Sequence, residues 1–228
     1  MMTFPRWWPM LLLMVGGTAW CAWAADPAES KSALETDPQG WIDLLAGDDL
    51  FAQWGRVPLP PGSRLSAKNP WSLDPQTRIL RCDGVGVHEN LQYKKEFGDG
   101  ILHVEWRFQP VEGKKGYNSG VYVRNSADGR VWHQAQVGNQ NVGFIFGDTL
   151  VDGQLKRVRL AGQGPQRGKE PGQWNVFEIT CQGPRITLWV NGAVTCEWKD
   201  CQVRQGQVGL EAEGWVIEFR NVKFKESR

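Results

Sequence analysis

The chain lacks most of the signals that mark large function classes. No Cys-x-x-Cys and no His-x-x-x-His spacing occurs among its 5 cysteines and 3 histidines, which argues against a zinc site built from them. Beyond the N-terminal region no apolar run is long enough to span a bilayer, which takes roughly 20 residues. No later segment holds helical periodicity for three turns, and no internal repeat occurs. Excess charge of one sign is missing too. With the segment carrying Arg6 set aside, the basic residues equal the 25 acidic ones. A neutral chain has no electrostatic reason to seek nucleic acid or an anionic membrane.

What is present begins with a secretory signal. Arg6 supplies the positive region, Met10 to Val15 the apolar core, and Ala22-Trp23-Ala24 a small-x-small cleavage site. Trp20 before Cys21 fits poorly with the small residue that precedes a lipidated cysteine. The expected organisation is a signal peptide over 1–25, a polar flexible leader over 26–39 with at most a helical turn at Lys31 to Glu35, and one domain over 40–228. Export to the periplasm or the extracellular space follows, with no membrane insertion once the signal is cleaved. Export also makes disulfides feasible for Cys82, Cys181, Cys196 and Cys201, with buried thiols as the alternative. Cys196 and Cys201 are closest in sequence.

Strand-sized pieces alternate with Gly, Pro and Asn turns from Trp41 onward. The expected strands lie near 42–45, 79–82, 101–109, 120–124, 132–137, 176–181, 186–190, 207–211 and 216–224. Such a pattern means an antiparallel sandwich or barrel. Two long irregular stretches, Val57 to Asn69 and Ala161 to Gln173, have the length of functional rims. Period two is clearest in "ILHVEWRFQP", where Leu102, Val104, Trp106 and Phe108 oppose His103, Glu105 and Arg107. It recurs where Tyr122 and Arg124 oppose Val121 and Val123, and where Trp132, Gln134 and Gln136 oppose His133, Ala135 and Val137. Glu211 and Glu213 likewise oppose Leu210 and Ala212. Planar hydrogen-bonding side chains and aromatic faces on one surface suit a carbohydrate. Nine tryptophans from Trp41 to Trp215 point the same way. The competing reading of each row is the ordinary solvated face of a sheet.

The segments "GWIDLLAGDDLFAQW", "ILRCDG", "HVEWRF", "NSGVYVR", "PGQWNVFEITCQGPRITLWVNG" and "VGLEAEGWVIEFRNVKF" follow one another in an order that resembles the 3-keto-disaccharide hydrolase domain family, from about Gly40 to Lys225. The resemblance implies an all-β, concanavalin-like two-sheet antiparallel jelly roll, exported, acting on an oxidised (3-keto) sugar or another carbohydrate. It implies no certain cofactor and leaves a divalent cation open. Many members carry an acidic strand close to "YEVQVLD". Here it reads "HQAQVGN", with Gln134 where Glu is common and Asn139 where Asp is common.

The implied chemistry sets the residues to look for. A ketone at C3 acidifies the C2 proton, so a general base, an oxyanion holder and an acid near the leaving oxygen are needed. Glu105 is the first candidate for the base and His133 the second, with Arg124 and Arg107 at the oxyanion and Glu211 or Glu213 as acid. Asn118, Tyr122, Gln134, Gln136 and Trp174 are candidates to hold the sugar, while His88 and His103 read as surface histidines. The expected activity is that of a 3-keto-glycoside hydrolase or lyase. The alternatives are a non-catalytic carbohydrate-binding jelly-roll module of the cell envelope and an envelope interaction protein.

Overall fold

The computed structural model describes residues 29–139 and 142–227. The expected signal peptide and the first leader residues lie outside them. Fifteen strands and two single-turn helices follow in chain order. They are α1 (Ala33–Thr36), β1 (Ile42–Asp43), α2 (Leu50–Gln53), β2 (Trp54–Pro58), β3 (Trp71–Leu73), β4 (Leu80–Asp83), β5 (His88–Phe97) and β6 (Gly100–Phe108). Next come β7 (Ser119–Asn125), β8 (Trp132–Val137), β9 (Ile145–Val151), β10 (Gln154–Arg159), β11 (Asn175–Gln182), β12 (Arg185–Val190), β13 (Ala193–Trp198), β14 (Gly206–Glu213) and β15 (Val216–Glu226). One sheet, A, has the order β13-β12-β11-β6-β15-β4-β3 with β1 on β15; the other, B, has the order β10-β9-β8-β7-β14-β5-β2. The pairings in both are antiparallel.

The core lies between the sheets and is made by the apolar row of each strand. Leu102, Val104, Trp106 and Phe108 of β6 are all buried there, as period two requires. They face Val121, Ala135, Val137, Leu210 and Ala212 from sheet B in one continuous cluster. Aromatic rings tie the layers together. Phe97 of β5 stacks on Phe224 of β15 across the sheets with centroids 4.2 Å apart, and within sheet A Trp106 meets Phe177 edge-on at 5.3 Å. Gly100 opens β6 because a Cβ there would come within 2.5 Å of the Phe224 ring. The fold is thus an all-β, two-sheet antiparallel jelly-roll sandwich, one of the two architectures that the strand pattern allows and the one that the resemblance implies.

Several expectations are corrected in detail. β2, β3, β5, β9, β10 and β13 are strands that periodicity did not reveal. The segment expected to be a loose leader is docked from residue 30 onward. Ser32 caps α1 through a reciprocal pair with Glu35, and the Glu178 carboxylate accepts from Ala33 N at 2.7 Å and Leu34 N at 3.1 Å. Ser30 N also donates to the Gly192 carbonyl at 2.7 Å. The four cysteines are buried thiols, none joined to another.

The stack between the layers yields a test. Phe224→Ala removes a fully enclosed ring and should lower stability by about 3–5 kcal/mol, read as a fall in the urea midpoint.

Candidate functional site

The outer faces of the two sheets carry polar rows of opposite character. On sheet A, the row of β6 is neutralised from within. Glu105 accepts from Arg220 Nε at 2.7 Å and Asn221 Nδ2 at 2.6 Å, and Arg107 Nε donates to Glu218 at 2.7 Å. His103 lies under α1, with Nδ1 2.9 Å from Glu178 and Nε2 3.7 Å from Glu105, the latter an ion-pair distance rather than a hydrogen bond. Burial works against the Glu105 carboxylate, yet the nearby His103 and the hydrogen bonds from Asn221 and Arg220 prevail and hold its pKa down to about 2. Burial likewise opposes the His103 imidazolium, but Glu105 and Glu178 raise its pKa. Trp174 lies between two cations, 4.5 Å from the Arg107 guanidinium and 4.1 Å from that of Arg220. The charges of this row are turned to one another rather than to a ligand.

Sheet B presents the contrasting case. The inward Leu210 and Ala212 of β14 turn Glu211 and Glu213 outward. His88 of β5 stands in register with Glu213, and Tyr122 of β7 with Gln134 of β8. Glu211 is 3 % exposed and accepts three hydrogen bonds. They come from Tyr122 Oη at 2.8 Å, Gln134 Nε2 at 3.3 Å and His88 Nε2 at 3.3 Å. Gly120 makes the Gln134 contact feasible, since a Cβ there would sit 2.5 Å from Gln134 Nε2. Glu213 accepts from Asn118 Nδ2 at 2.5 Å, and Asn118 Oδ1 accepts from Gln136 Nε2 at 2.5 Å.

These groups line a cavity of about 370 Å³, toward the small end of the roughly 300–1,000 Å³ range of ligand sites. Trp132 and Phe146 form an aromatic wall, 5.1 Å between centroids, and Leu59, Pro60 and Pro61 make the rim. Arg157 lies 5.0 Å over Trp132 and is paired with Asp148, with one contact at 2.7 Å. A larger hollow of about 660 Å³ over sheet A, between Asp37 and Lys225, holds no comparable constellation among the described residues.

Electrostatics separate the roles of the three ionisable groups. The hydrogen bond to Glu211 raises the pKa of His88, against the opposing effect of burial. Burial raises that of Glu213, and the Glu211 charge adds to it. Burial and the same carboxylate push the Tyr122 phenol well up, so it stays a protonated donor. A nitrogen of His88 and oxygens of Glu211 and Glu213 lie within 4.8 Å of one another, so the candidate ligands of a divalent cation would be these three.

The structure therefore divides the residues singled out in the sequence. It brings together Glu211, Glu213, Asn118, Tyr122, Gln134 and Gln136. It does not bring Glu105, His133 and Arg124 to one place, which corrects the expectation of a shared site. Glu105, Arg107 and Trp174 lie on the outer face of sheet A. His133 points inward with Ala135 and Val137, fully buried, bonded to Thr149 Oγ1 at 2.8 Å and 3.4 Å from Cys201 Sγ. Burial pushes its pKa down to about 4, and no substrate reaches it. Arg124 leaves the Tyr122 row because β7 bulges there, with φ +53° and a register shift against β14. Its guanidinium is buried on the Val203 carbonyl at 2.9 Å and Asp99 at 3.0 Å. His88, expected as a surface histidine, is the group that the sequence reading missed. Only its half-exposed position fits that expectation.

A sequence model of the 3-keto-alpha-glucoside-1,2-lyase-like domain matches residues 40–225. The chain belongs to that family. No curated protein matches it. Among solved structures, this lyase-like domain is similar to a proposed glycosyl hydrolase from Parabacteroides distasonis at 18% identity and TM-score 0.57, covering 82% of this chain and 99% of that one. The carbohydrate-binding module CBM66 from Bacillus subtilis follows at 16% identity and TM-score 0.54, covering 77% and 96%. A β-glucanase from Bacillus licheniformis matches at 10% identity and TM-score 0.52, covering 82% and 97%. At these identities the likeness is one of fold. Family and fold make the lyase-like domain a carbohydrate-related jelly-roll protein.

The paired row on sheet A gives a prediction that separates the two faces. Glu105→Gln should lower stability by roughly 1–3 kcal/mol and leave the NMR pH titration of His88 on the opposite face unchanged. The stability that the ionised carboxylate adds is present above its unfolded-state pKa and lost as pH falls toward 2. Acid unfolding of the variant and the wild type should therefore converge at low pH.

Proposed function

We propose that the protein is exported and cleaves 3-keto glycosides in the cavity of sheet B, by elimination followed by hydration. The observation that carries this reading is the placement of two carboxylates with unlike surroundings beside one imidazole, all facing one cavity. Glu211 has both oxygens engaged and serves to orient its neighbours. Glu213 has one oxygen on Asn118 and makes no further hydrogen bond with a described residue. It is the group placed to take a proton.

Glu213 removes the C2 proton of the keto sugar, and the electron pair moves toward the C3 carbonyl. The enolate collapses, the C1–O bond breaks with its electron pair on the leaving oxygen, and His88 as imidazolium protonates that oxygen. Water then adds at C1 of the 2-hydroxyglucal, giving its proton to the now neutral His88, and C2 regains a proton from Glu213, which completes net hydrolysis and restores both groups. Trp132 and Phe146 would pack on the C–H face of the ring, with Gln134, Gln136 and Asn118 on its hydroxyls. A divalent cation held by His88, Glu211 and Glu213 would supply Lewis-acid stabilisation of the enolate oxygen.

The second reading is a binding module on the same sheet. The aromatic wall of Trp132 and Phe146 favours it, and the buried Glu211 does not. The deciding experiment follows a 3-keto-glucoside by NMR in heavy water, with chelator and with Mn²⁺. Aglycone release and deuterium at C2 are expected, and Glu213→Gln should lower kcat about 10²–10⁴-fold. Saturable binding without exchange or release, under both metal conditions, would make the protein a binding module.

The pH profile provides an independent check. With Glu213 needed as carboxylate and His88 as imidazolium, kcat/KM should be bell-shaped, its acid limb above the usual carboxylate range and its alkaline limb above the ordinary histidine value. Glu211→Gln removes the hydrogen bond that raises His88 and the charge that helps raise Glu213. Both limbs should then move to lower pH.

A further inference from the structure

A second cavity, of about 330 Å³, adjoins the first and shares Asn118 and Gln136 with it. The 2.5 Å hydrogen bond between these two amides is the ridge between the cavities, and Asn118 also holds Glu213. A sugar whose C2 faces Glu213 therefore has a second compartment within reach of its C1 substituent. The two compartments differ in charge. The first holds Asp148, Glu211 and Glu213 beside Arg157 and His88; among the described residues no carboxylate lines the second, where Asn139 is an amide and Arg159 carries the charge.

Arg159 is poised there without a counter-ion. Its guanidinium lies 4.6 Å over Phe144 and 5.6 Å over Phe146, and it makes no hydrogen bond or ion pair with a described residue. Stacking on two rings orders the planar group and leaves its N–H edges open, the geometry that receives a carboxylate. Its neighbour Arg157 on the same strand is already paired with Asp148. Lys114 and Lys115 immediately precede Gly116 of the lining, in a loop whose one acid is Glu112. Arg159, Lys114 and Lys115 thus bring positive charge to the place where a leaving group would sit.

We propose that this second cavity is a leaving-group subsite that selects glycosides whose aglycone carries an anionic substituent, with Arg159 as its specificity-determining residue. The proposal rests on the keto sugar occupying the cavity of His88, Glu211 and Glu213. An aryl acid and a sugar acid share the recognised chemistry, a carboxylate on a ring.

Matched substrates test it: the 3-keto-glucosides of 4-hydroxybenzoate and of its neutral amide, then 3-keto-disaccharides ending in glucuronate or in glucose. At low salt the charged member of at least one pair should be preferred roughly fivefold in kcat/KM, the size expected of an exposed charge-assisted contact. The ratio should fall toward one in 0.5 M NaCl, be lost in Arg159→Gln, and drop below one in Asn139→Asp, which places a carboxylate in the same cavity. The pair that shows the preference identifies the aryl or the sugar acid as the source. Equal rates within both pairs, or a preference that survives Arg159→Gln, would overturn the subsite. Should neither pair be cleaved, the hydrolase reading fails separately, and calorimetric binding of the same compounds decides the subsite. Tighter binding of the charged member that depends on Arg159 sustains it, and equal or undetectable binding of both members overturns it.

Discussion

Everything at the proposed site depends on one constraint, the burial of Leu210 and Ala212 between the sheets. Each is wholly inaccessible to water, and each neighbours a glutamate that period two must turn the other way. A slip of one residue in β14 would put two carboxylates into an apolar core, which costs far more than any surface contact returns. The register is held from both sides, by β5 and by β7. The apolar core thus fixes the position of the ionisable groups without touching a substrate. A site built on a central strand with neighbours on both sides is more rigid than one built on a loop.

Both sheets carry glutamate, histidine and arginine on their outer faces, so composition alone does not distinguish them. The difference lies in how the charges are satisfied. On the outer face of sheet A three glutamates each have a cation: Glu105 has Arg220, Glu218 has Arg107 and Arg81, Glu178 has His103. Two of these groups are further covered by α1 and by the stacked Trp174. On sheet B two glutamates share one half-exposed histidine, and like charge beside like charge raises Glu213. An arrangement that leaves a carboxylate without full compensation works against stability, and such strain concentrates where chemistry is done. The inference is physical and independent of the family match.

The same contrast shows what was legible in the sequence. Alternation identified the inward and outward rows of β6, β8 and β14, and with them a sandwich or barrel and five residues of the cavity, Trp132, Gln134, Gln136, Glu211 and Glu213. It said nothing about which sheet a strand would join, because period two is the same in both. Glu105 and Glu211 therefore read as partners although the core separates them. Arg124 was misplaced because a bulge breaks the period just after Tyr122, and only a backbone angle reveals that. The pattern did place His133 with Ala135 and Val137, and a base on the core side of its own strand was an inconsistency visible beforehand. His88 was hidden for another reason. Its strand begins "HENLQYKKEF", whose outward positions are polar at one end and whose inward ones include Glu89, buried on Arg56 and Trp71. The hairpin of β9 and β10, which brings Phe146, Asp148, Arg157 and Arg159, had a signal in "DG" at Asp152-Gly153.

Gln134 bears most directly on whether such a site turns its ligand over. A carboxylate at that position would lie against Glu211 and repel it. The amide donates to Glu211 instead, at 3.3 Å, and Gly120 provides the space for it to do so. Glu211 is thereby held by three donors inside the protein and is committed to orienting Tyr122 and His88. A second acid at 134 would have competed for the same proton and for the same imidazole. Its replacement leaves Glu213 as the one carboxylate of the pair with an oxygen open to a ligand. On this argument the amide concentrates basicity in a single group rather than abolishing it, which is what a proton abstraction needs and what a passive sugar-binding face does not.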